Sequence, residues 1–276
     1  MCIRDRRSSI EYTRHAGTGE PVVLIHGIGH RRQAWGEVPE LLAARGHDVY
    51  VVDLPGHGES PRPSRPDGWS MRSHAEQFER LFRELDIERP HVVGNSLGGA
   101  MALELAAREG VVSSVTALSP AGFFPPWHLP NVAANLLFMK AGSHLPEALH
   151  RRLTAHVWFR KLAFRALYTH PEQVTVEAAV GDTLNLRRAP GFWPHFVRAT
   201  FLRVTAPLAV PTTIAWGDTD RLLLPSEAGT ARARFPEATH VSLEDCGHCP
   251  QIDHPELVVD TVLATIERAN SRQPAV

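Results

Sequence analysis

The segment Val92-Val93-Gly94-Asn95-Ser96-Leu97-Gly98-Gly99 runs directly into Ala100-Met101-Ala102-Leu103-Glu104-Leu105-Ala106-Ala107. A β-branched run breaks at glycine and resumes with strong helix formers, so the stretch reads as strand, sharp turn and helix with one serine at the apex. Such a turn strains the serine backbone. The positions two before and two after can then carry no side chain, a demand met by Gly94 and Gly98. The hydroxyl is thereby presented at the end of a sheet. The alternative is an ordinary βα loop in which Ser96 only caps the helix, and partner groups elsewhere in the chain must decide between the two.

The rest of the chain supplies a setting for that turn. Its 276 residues suit one large α/β domain with an insertion. With 29 Lys or Arg against 30 Asp or Glu, nothing in the charge balance favours nucleic acid or an anionic membrane. No apolar run approaches the roughly 18 residues of a membrane span. Cys2, Cys246 and Cys249 cannot form a disulfide framework and point to a reducing, cytoplasmic setting. The Arg-rich stretch Met1 to Ser9 lacks a following apolar segment and does not read as a secretory signal; residues 1–8 are expected to be disordered.

Strands alternate with helices, the pattern of a mostly parallel sheet covered on both faces. The expected strands are Ser9 to His15 at an edge, Pro21 to Ile25, Asp48 to Asp53, the strand leading into Ser96, Val112 to Leu118, Pro211 to Trp216 and Thr239 to Leu243. Helices are expected from about Ser70 or Ser73 to Leu85, with Ser73 and Glu76 at capping-box spacing, after Ser96, from Pro225 to Phe235, and from Pro255 to Asn270. The alternation stops between residues 122 and 205. That stretch is helical in pattern, holds 12 of the 20 aromatics, and carries ten basic residues against four acidic ones. It reads as a helical lid inserted into a core formed by residues 9–121 and 206–270.

A serine hydroxyl needs a base to take its proton and a third group to hold that base. Trp216-Gly217-Asp218-Thr219-Asp220 places two acids in the loop after one late strand, and Cys246-Gly247-His248 places an imidazole after the next. In a parallel sheet these loops share the carboxyl edge with Ser96, so serine, acid and histidine can converge. A developing oxyanion requires preorganised N–H donors. His26-Gly27-Ile28-Gly29 follows an early strand with small residues, and the backbone N–H groups of Ile28 and Leu97 are the expected pair. His26 is expected to pin this loop rather than to act in catalysis.

These segments, together with Asp53-Leu54-Pro55-Gly56-His57-Gly58-Glu59-Ser60, resemble the α/β-hydrolase superfamily from about Ser9 to Asn270. The resemblance implies an α/β-hydrolase fold, with Ser96 as nucleophile, Asp220 as the acid in preference to Asp218, His248 as base, and Ile28 and Leu97 as oxyanion hole. It implies a hydrolase that needs no cofactor and takes a small-molecule substrate.

Other signals carry less weight. Cys246-Gly247-His248-Cys249 spells the CGHC of disulfide isomerases, but it lies near the C-terminus, far from the strand-to-helix turn that motif requires. The same residues lack the second ligand pair of a zinc finger, so no metal is expected. The two thiols bracket His248, and they read either as buried packing residues or as a point of oxidation sensitivity. His30, His47 and His57 read as surface or loop histidines. Arg187 and Arg188 read as a solvated helix face. Most of the insertion's aromatics must pack its own core, but Phe123, Phe124, Trp127, Trp158 and Trp193, with Gly29, are expected to contribute to an apolar substrate pocket.

The resulting expectation is a serine carboxylesterase acting on small to medium esters with an apolar portion. A carbon–carbon bond hydrolase of the meta-cleavage-product type is an alternative, although such enzymes usually carry a tryptophan after the catalytic histidine, where this chain has Cys249-Pro250. A ligand receptor built on the same fold is another. Dehalogenases and epoxide hydrolases would need an aspartate in place of Ser96.

Overall fold

Side chains along a strand point alternately to opposite faces, so a strand that is apolar at every position must be covered on both sides. Val22 and Leu24 face one hydrophobic cluster and Val23 and Ile25 the other, and Val49 and Val51 alternate with Tyr50 and Val52 in the same way. The computed structural model describes residues 10–199 and 201–272; the expectation for residues 1–8 and the start of the first expected strand lie outside them.

In chain order the elements are β1 (Tyr12–His15), β2 (Pro21–Ile25), α1 (Val38–Ala44), β3 (Asp48–Val52), α2 (Met71–Glu84), β4 (His91–Asn95), α3 (Leu97–Ala106) and β5 (Ser114–Leu118). Five helices follow: α4 (Leu129–Gly142), α5 (Glu147–Thr154), α6 (Val157–Ala163), α7 (Val176–Arg188) and α8 (Phe192–Ala199). The alternation then resumes with β6 (Thr212–Gly217), α9 (Glu227–Arg234), β7 (Thr239–Leu243), α10 (Pro250–Asp253) and α11 (Pro255–Asn270).

The strands form one sheet in the order β1-β3-β2-β4-β5-β6-β7. Only the edge strand β1 is antiparallel; every other pairing is parallel. After β3 the chain returns to the far side of β2 to lay down β4, so the strand order reverses between these two neighbours. The carboxyl ends of β2 and β4 flank that switch point, where open α/β sheets place their ligands.

One face of the sheet packs against α2 and α3 through Phe78, Leu81, Met101 and Leu105. The other packs against α1 and α11 through Val38, Leu42, Val258, Val262 and Ile266. The helix α1, absent from the sequence expectations, has only two turns and buries a single stripe of Val38, Pro39 and Leu42. Helix α2 starts one residue after Ser70, whose hydroxyl accepts the Ser73 N–H at 3.1 Å. The cap is therefore Ser70 and not the Ser73–Glu76 box, and Glu76 instead pairs with Arg72. Val112 and Ser113 precede the first paired residue of β5 and stand outside the strand.

Candidate active site

Ser96 joins β4 to α3 with φ 57° and ψ −115°, a conformation that a residue with a side chain rarely adopts. Two close approaches hold it there. A Cβ on Gly94 would lie 2.1 Å from the Gly98 carbonyl oxygen, and one on Gly98 would lie 2.2 Å from that of Ile25. Ser96 N–H donates to the Leu118 carbonyl at 2.9 Å, fixing the apex to β5. The serine side chain makes no capping bond to α3, which leaves its hydroxyl free of the role the alternative reading assigned to it.

His248 and Asp220 meet behind this turn. His248 Nδ1 lies 2.9 Å from Asp220 Oδ2, and both side chains are almost fully buried. The other carboxylate oxygen of Asp220 accepts the N–H groups of Leu222 and Leu223, each at 2.9 Å, so the acid is oriented by its own loop before it touches the histidine. Asp218 is exposed and accepts the Cys246 N–H at 3.3 Å. It braces the histidine loop from outside and does not face the imidazole.

The loop after β2 closes the arrangement. A Cβ on Gly27 would lie 3.1 Å from Ser96 Cβ, so this loop rests directly on the serine. Among the described residues the Ile28 N–H has no acceptor, and Leu97 opens α3, where an N–H has no partner one turn back. His26 pins the loop as the sequence suggests. Its Nδ1–H donates to the Gly27 carbonyl at 2.7 Å and its Nε2 accepts the Leu54 N–H at 3.0 Å. Burial pushes its pKa down to about 4, so it stays neutral in that role.

Two supports have no signal in the sequence pattern. Asn95 is completely buried, and its amide donates to the His248 carbonyl at 2.8 Å and the Leu118 carbonyl at 3.3 Å. Asp253 accepts the N–H groups of Gly247 at 2.8 Å, Thr169 at 3.0 Å and His170 at 2.9 Å. Glu227 is buried close to Asp220 and hydrogen-bonded to His128; burial, with Asp220 adding, raises its pKa to about 7.

Ser96, His248, Ile28 and Gly29 all line one cavity of about 260 Å³. Most of its wall comes from the helical segment between β5 and β6, including Phe138, Phe159, Phe164, Leu167, Tyr168, Leu186 and Phe192. The polar groups on the wall are mostly engaged within the protein. Asp182 pairs with Arg31 at 2.9 Å, and the His150 ring hydrogen-bonds to the Gly142 carbonyl at 2.9 Å.

The five aromatics expected at the pocket are elsewhere. Phe123 is buried against Trp216, Phe235 and the Arg234 guanidinium, and Phe124 is buried in the same core cluster. Trp127, Trp158 and Trp193 are 75%, 61% and 51% exposed and lie outside the cavity wall. Aromatic content marks where a core can form, but only the packing of α4 to α8 decides which rings turn inward.

His30 and His57 do lie in loops, but both are buried. His30 lines the cavity with its Nδ1 unpaired, and His57 is 1% exposed beneath Gly191. Arg187 and Arg188 are exposed at the end of α7, as expected of a solvated face. Cys246 and Cys249 are buried free thiols. Burial pushes the first up to about 12 and the second well above the ordinary thiol value, which keeps both protonated and unreactive.

No helix among the described residues is long and apolar enough to cross a membrane. Comparison with known proteins agrees with the fold. A Mycobacterium tuberculosis protein of uncharacterized role is 32% identical over 283 residues, spanning 95% of this chain and 80% of that one. Lipase 1 of Psychrobacter immobilis is 26% identical over 251 residues, covering 85% of this chain and 73% of its own length. A 2-hydroxy-6-oxononadienedioate/2-hydroxy-6-oxononatrienedioate hydrolase of a Pseudomonas species is 27% identical over 282 residues, covering 92% and 90%. Residues 20–255 match the α/β hydrolase fold family, and the chain belongs to that family.

Proposed function

We propose that this hydrolase is a serine carboxylesterase acting on esters with an apolar acyl or alkyl portion. The observation that carries the reading is the pairing of His248 Nδ1 with Asp220 Oδ2 at 2.9 Å beside a serine held at positive φ, with Ser96 and His248 lining one apolar cavity. Nδ1–H donates to the carboxylate, which leaves the Nε2 lone pair free to take a proton.

In this reading Ser96 Oγ attacks the ester carbonyl while its proton passes to His248 Nε2. The negative charge that develops on the carbonyl oxygen is met by the N–H groups of Ile28 and Leu97. Collapse breaks the C–O bond, and the imidazolium returns its proton to the departing alkoxide, giving an alcohol and an acyl-serine. Water, deprotonated by the same imidazole, then releases the carboxylic acid. Asp220 stabilises the imidazolium without taking its proton. Residues 122–205, with α4 to α8, act as the lid whose inner face holds the apolar part of the substrate.

The kinship to lipases supports ester chemistry, and a relative named as a hydrolase of an oxo-dienedioate keeps carbon–carbon cleavage in view. The apolar wall favours the ester. A panel of p-nitrophenyl esters of graded acyl length tests the proposal. Steady turnover that passes through an optimum with length supports it. A stoichiometric burst that stalls points to a ligand receptor, and turnover of vinylogous diketones in place of esters points to the carbon–carbon hydrolase.

A further inference from the structure

Outside the cavity, three segments bring two imidazoles and a carboxylate to one spot. His170 lies on the loop after Tyr168, Asp245 on the loop between β7 and His248, and His254 at the junction of α10 and α11. His170 Nε2 is 2.7 Å from Asp245 Oδ2, and His254 Nε2 is 3.5 Å from the same oxygen. The three ligand atoms lie within 4.8 Å of one another, and the two rings stand perpendicular with centroids 5.7 Å apart. His254 Nε2 is shielded from solvent and has no hydrogen-bond partner.

The backbone beneath these side chains is already fixed. The N–H groups of Thr169 and His170 are held by the Asp253 carboxylate, immediately before His254, and Gly247 N–H is held by the same group. Nε2–H of His170 now donates to Asp245; a metal at Nε2 displaces that proton and leaves the ring's other proton on Nδ1, where Glu172 Oε1 lies 3.7 Å away on the far side of the ring. Asp245 itself sits at φ 54°, a conformation uncommon for a residue with a side chain.

We propose that His170, Asp245 and His254 form a binding site for a divalent transition metal of the zinc class. Two imidazole nitrogens and one carboxylate oxygen suit zinc and its borderline neighbours, whereas calcium and magnesium prefer all-oxygen shells. Bonds of about 2.0–2.1 Å in a tetrahedron place ligand atoms roughly 3.3 Å apart. The His254–Asp245 pair is already at 3.5 Å, the His170–Asp245 pair has to open from 2.7 Å, and the two imidazole nitrogens stand within 4.8 Å of each other. With half of the Asp245 surface open, water completes the shell. The bound ion fastens the loop after Tyr168 to the loop that carries His248. Sequence spacing gives no sign of the site, because His170 and Asp245 are 75 residues apart.

The test reads binding directly and is independent of the ester chemistry. The full chain is stripped with chelator and titrated with Zn²⁺ by calorimetry, and with Co²⁺ by visible absorption. Wild type is expected to take up one more equivalent of Zn²⁺ than His254→Gln or His170→Gln, to show the Co²⁺ ligand-field bands that both variants lack, and to gain thermal stability with Zn²⁺ but not Mg²⁺. Circular dichroism of the stripped proteins establishes that the variants fold; should His254→Gln not fold, the more peripheral His170→Gln carries the comparison. Equal Zn²⁺ stoichiometry and affinity in wild type and a folded variant overturns the proposal. So does a hydrogen-bonded cluster that binds no Zn²⁺ at all.

Discussion

The Asn95 side chain spans from the residue before Ser96 to the main chain of His248, its amide nitrogen 2.8 Å from the His248 carbonyl oxygen. The serine turn and the histidine loop are thus tied by one buried amide, and Cys249 and Gln251 both reach the Asn95 oxygen as well. Replacing Asn95 with Ala leaves a buried carbonyl without its donor, which costs about 1–3 kcal/mol. The expected result is a lower urea midpoint together with a kcat reduced roughly tenfold to a hundredfold, since misplacement by about 1 Å has that effect. A variant with lowered stability but wild-type kcat would reduce Asn95 to a packing residue.

Asp220 and Asp218 are two residues apart but differ in what they face. In Asp220→Asn the amide presents a donor to His248 Nδ1 and forces the wrong tautomer, which is expected to lower kcat by about 10³–10⁴-fold. In Asp218→Asn the amide oxygen still accepts the Cys246 N–H, and kcat is expected to stay within a few-fold of wild type. Steady-state kinetics on a short-chain ester compares the two. A reversed order of effects would transfer the acid's role to Asp218.

Chain-length preference follows the residues that line the cavity and not the exposed aromatics. Phe159→Ala and Leu186→Ala are expected to lower kcat/KM for long-chain esters about tenfold while sparing the acetate, because they remove apolar contacts remote from the carbonyl. Trp158→Ala and Trp193→Ala are expected to leave the profile unchanged, given their exposure of 61% and 51%. A shifted profile in the tryptophan variants would bring those rings into the binding surface.

Much of this architecture is legible in the sequence where local and tertiary demands coincide. The bounds of β2 follow from an apolar run, those of β7 from the alternation of Val241 and Leu243 with polar residues, and the start of α11 from Pro255; the serine turn follows from its glycines. Elements stabilised mainly by tertiary contact are less legible. Helix α1 is too short for a periodic pattern to declare itself, and the start of α2 falls to Ser70 because the chain leaves the preceding turn there. The acid at Asp220 was legible through family resemblance, whereas its selection over Asp218 is visible physically only in the loop that turns one carboxylate inward. The inner wall of α4 to α8 is set by how five helices pack, which no spacing along the chain encodes.

Four buried histidines make the fold sensitive to acid. Gln77 Nε2 donates to His74 Nδ1, His74 Nε2 to His195 Nε2 at 2.7 Å, and His195 Nδ1 to the Gly191 carbonyl at 2.8 Å, a chain that holds together only with both rings neutral. His57 and His26 continue the row of rings, His57 beside His195 and His26 edge-on to His57. Burial lowers His74 and His195 to about 3, His26 to about 4 and His57 well below its ordinary value. A histidine whose folded pKa is depressed binds more protons when unfolded. Its stabilisation is therefore complete above pH of about 6.5 and is lost as pH falls from there toward the folded value, at about 1.4 kcal/mol per pH unit for each group. Urea midpoints are expected to fall steeply between pH 6.5 and 4, and less steeply in His74→Gln/His195→Gln. A midpoint that does not change between pH 7 and 5 would contradict this.

Intact-protein and peptide mass spectrometry after treatment with a fluorophosphonate measures the serine chemistry most directly. The expected result is a single adduct on Ser96, absent in Ser96→Ala and slowed by several decades in His248→Ala. An adduct that persists in Ser96→Ala, or that maps to Ser143, which also lines the cavity, would contradict the assignment of Ser96 as the nucleophile.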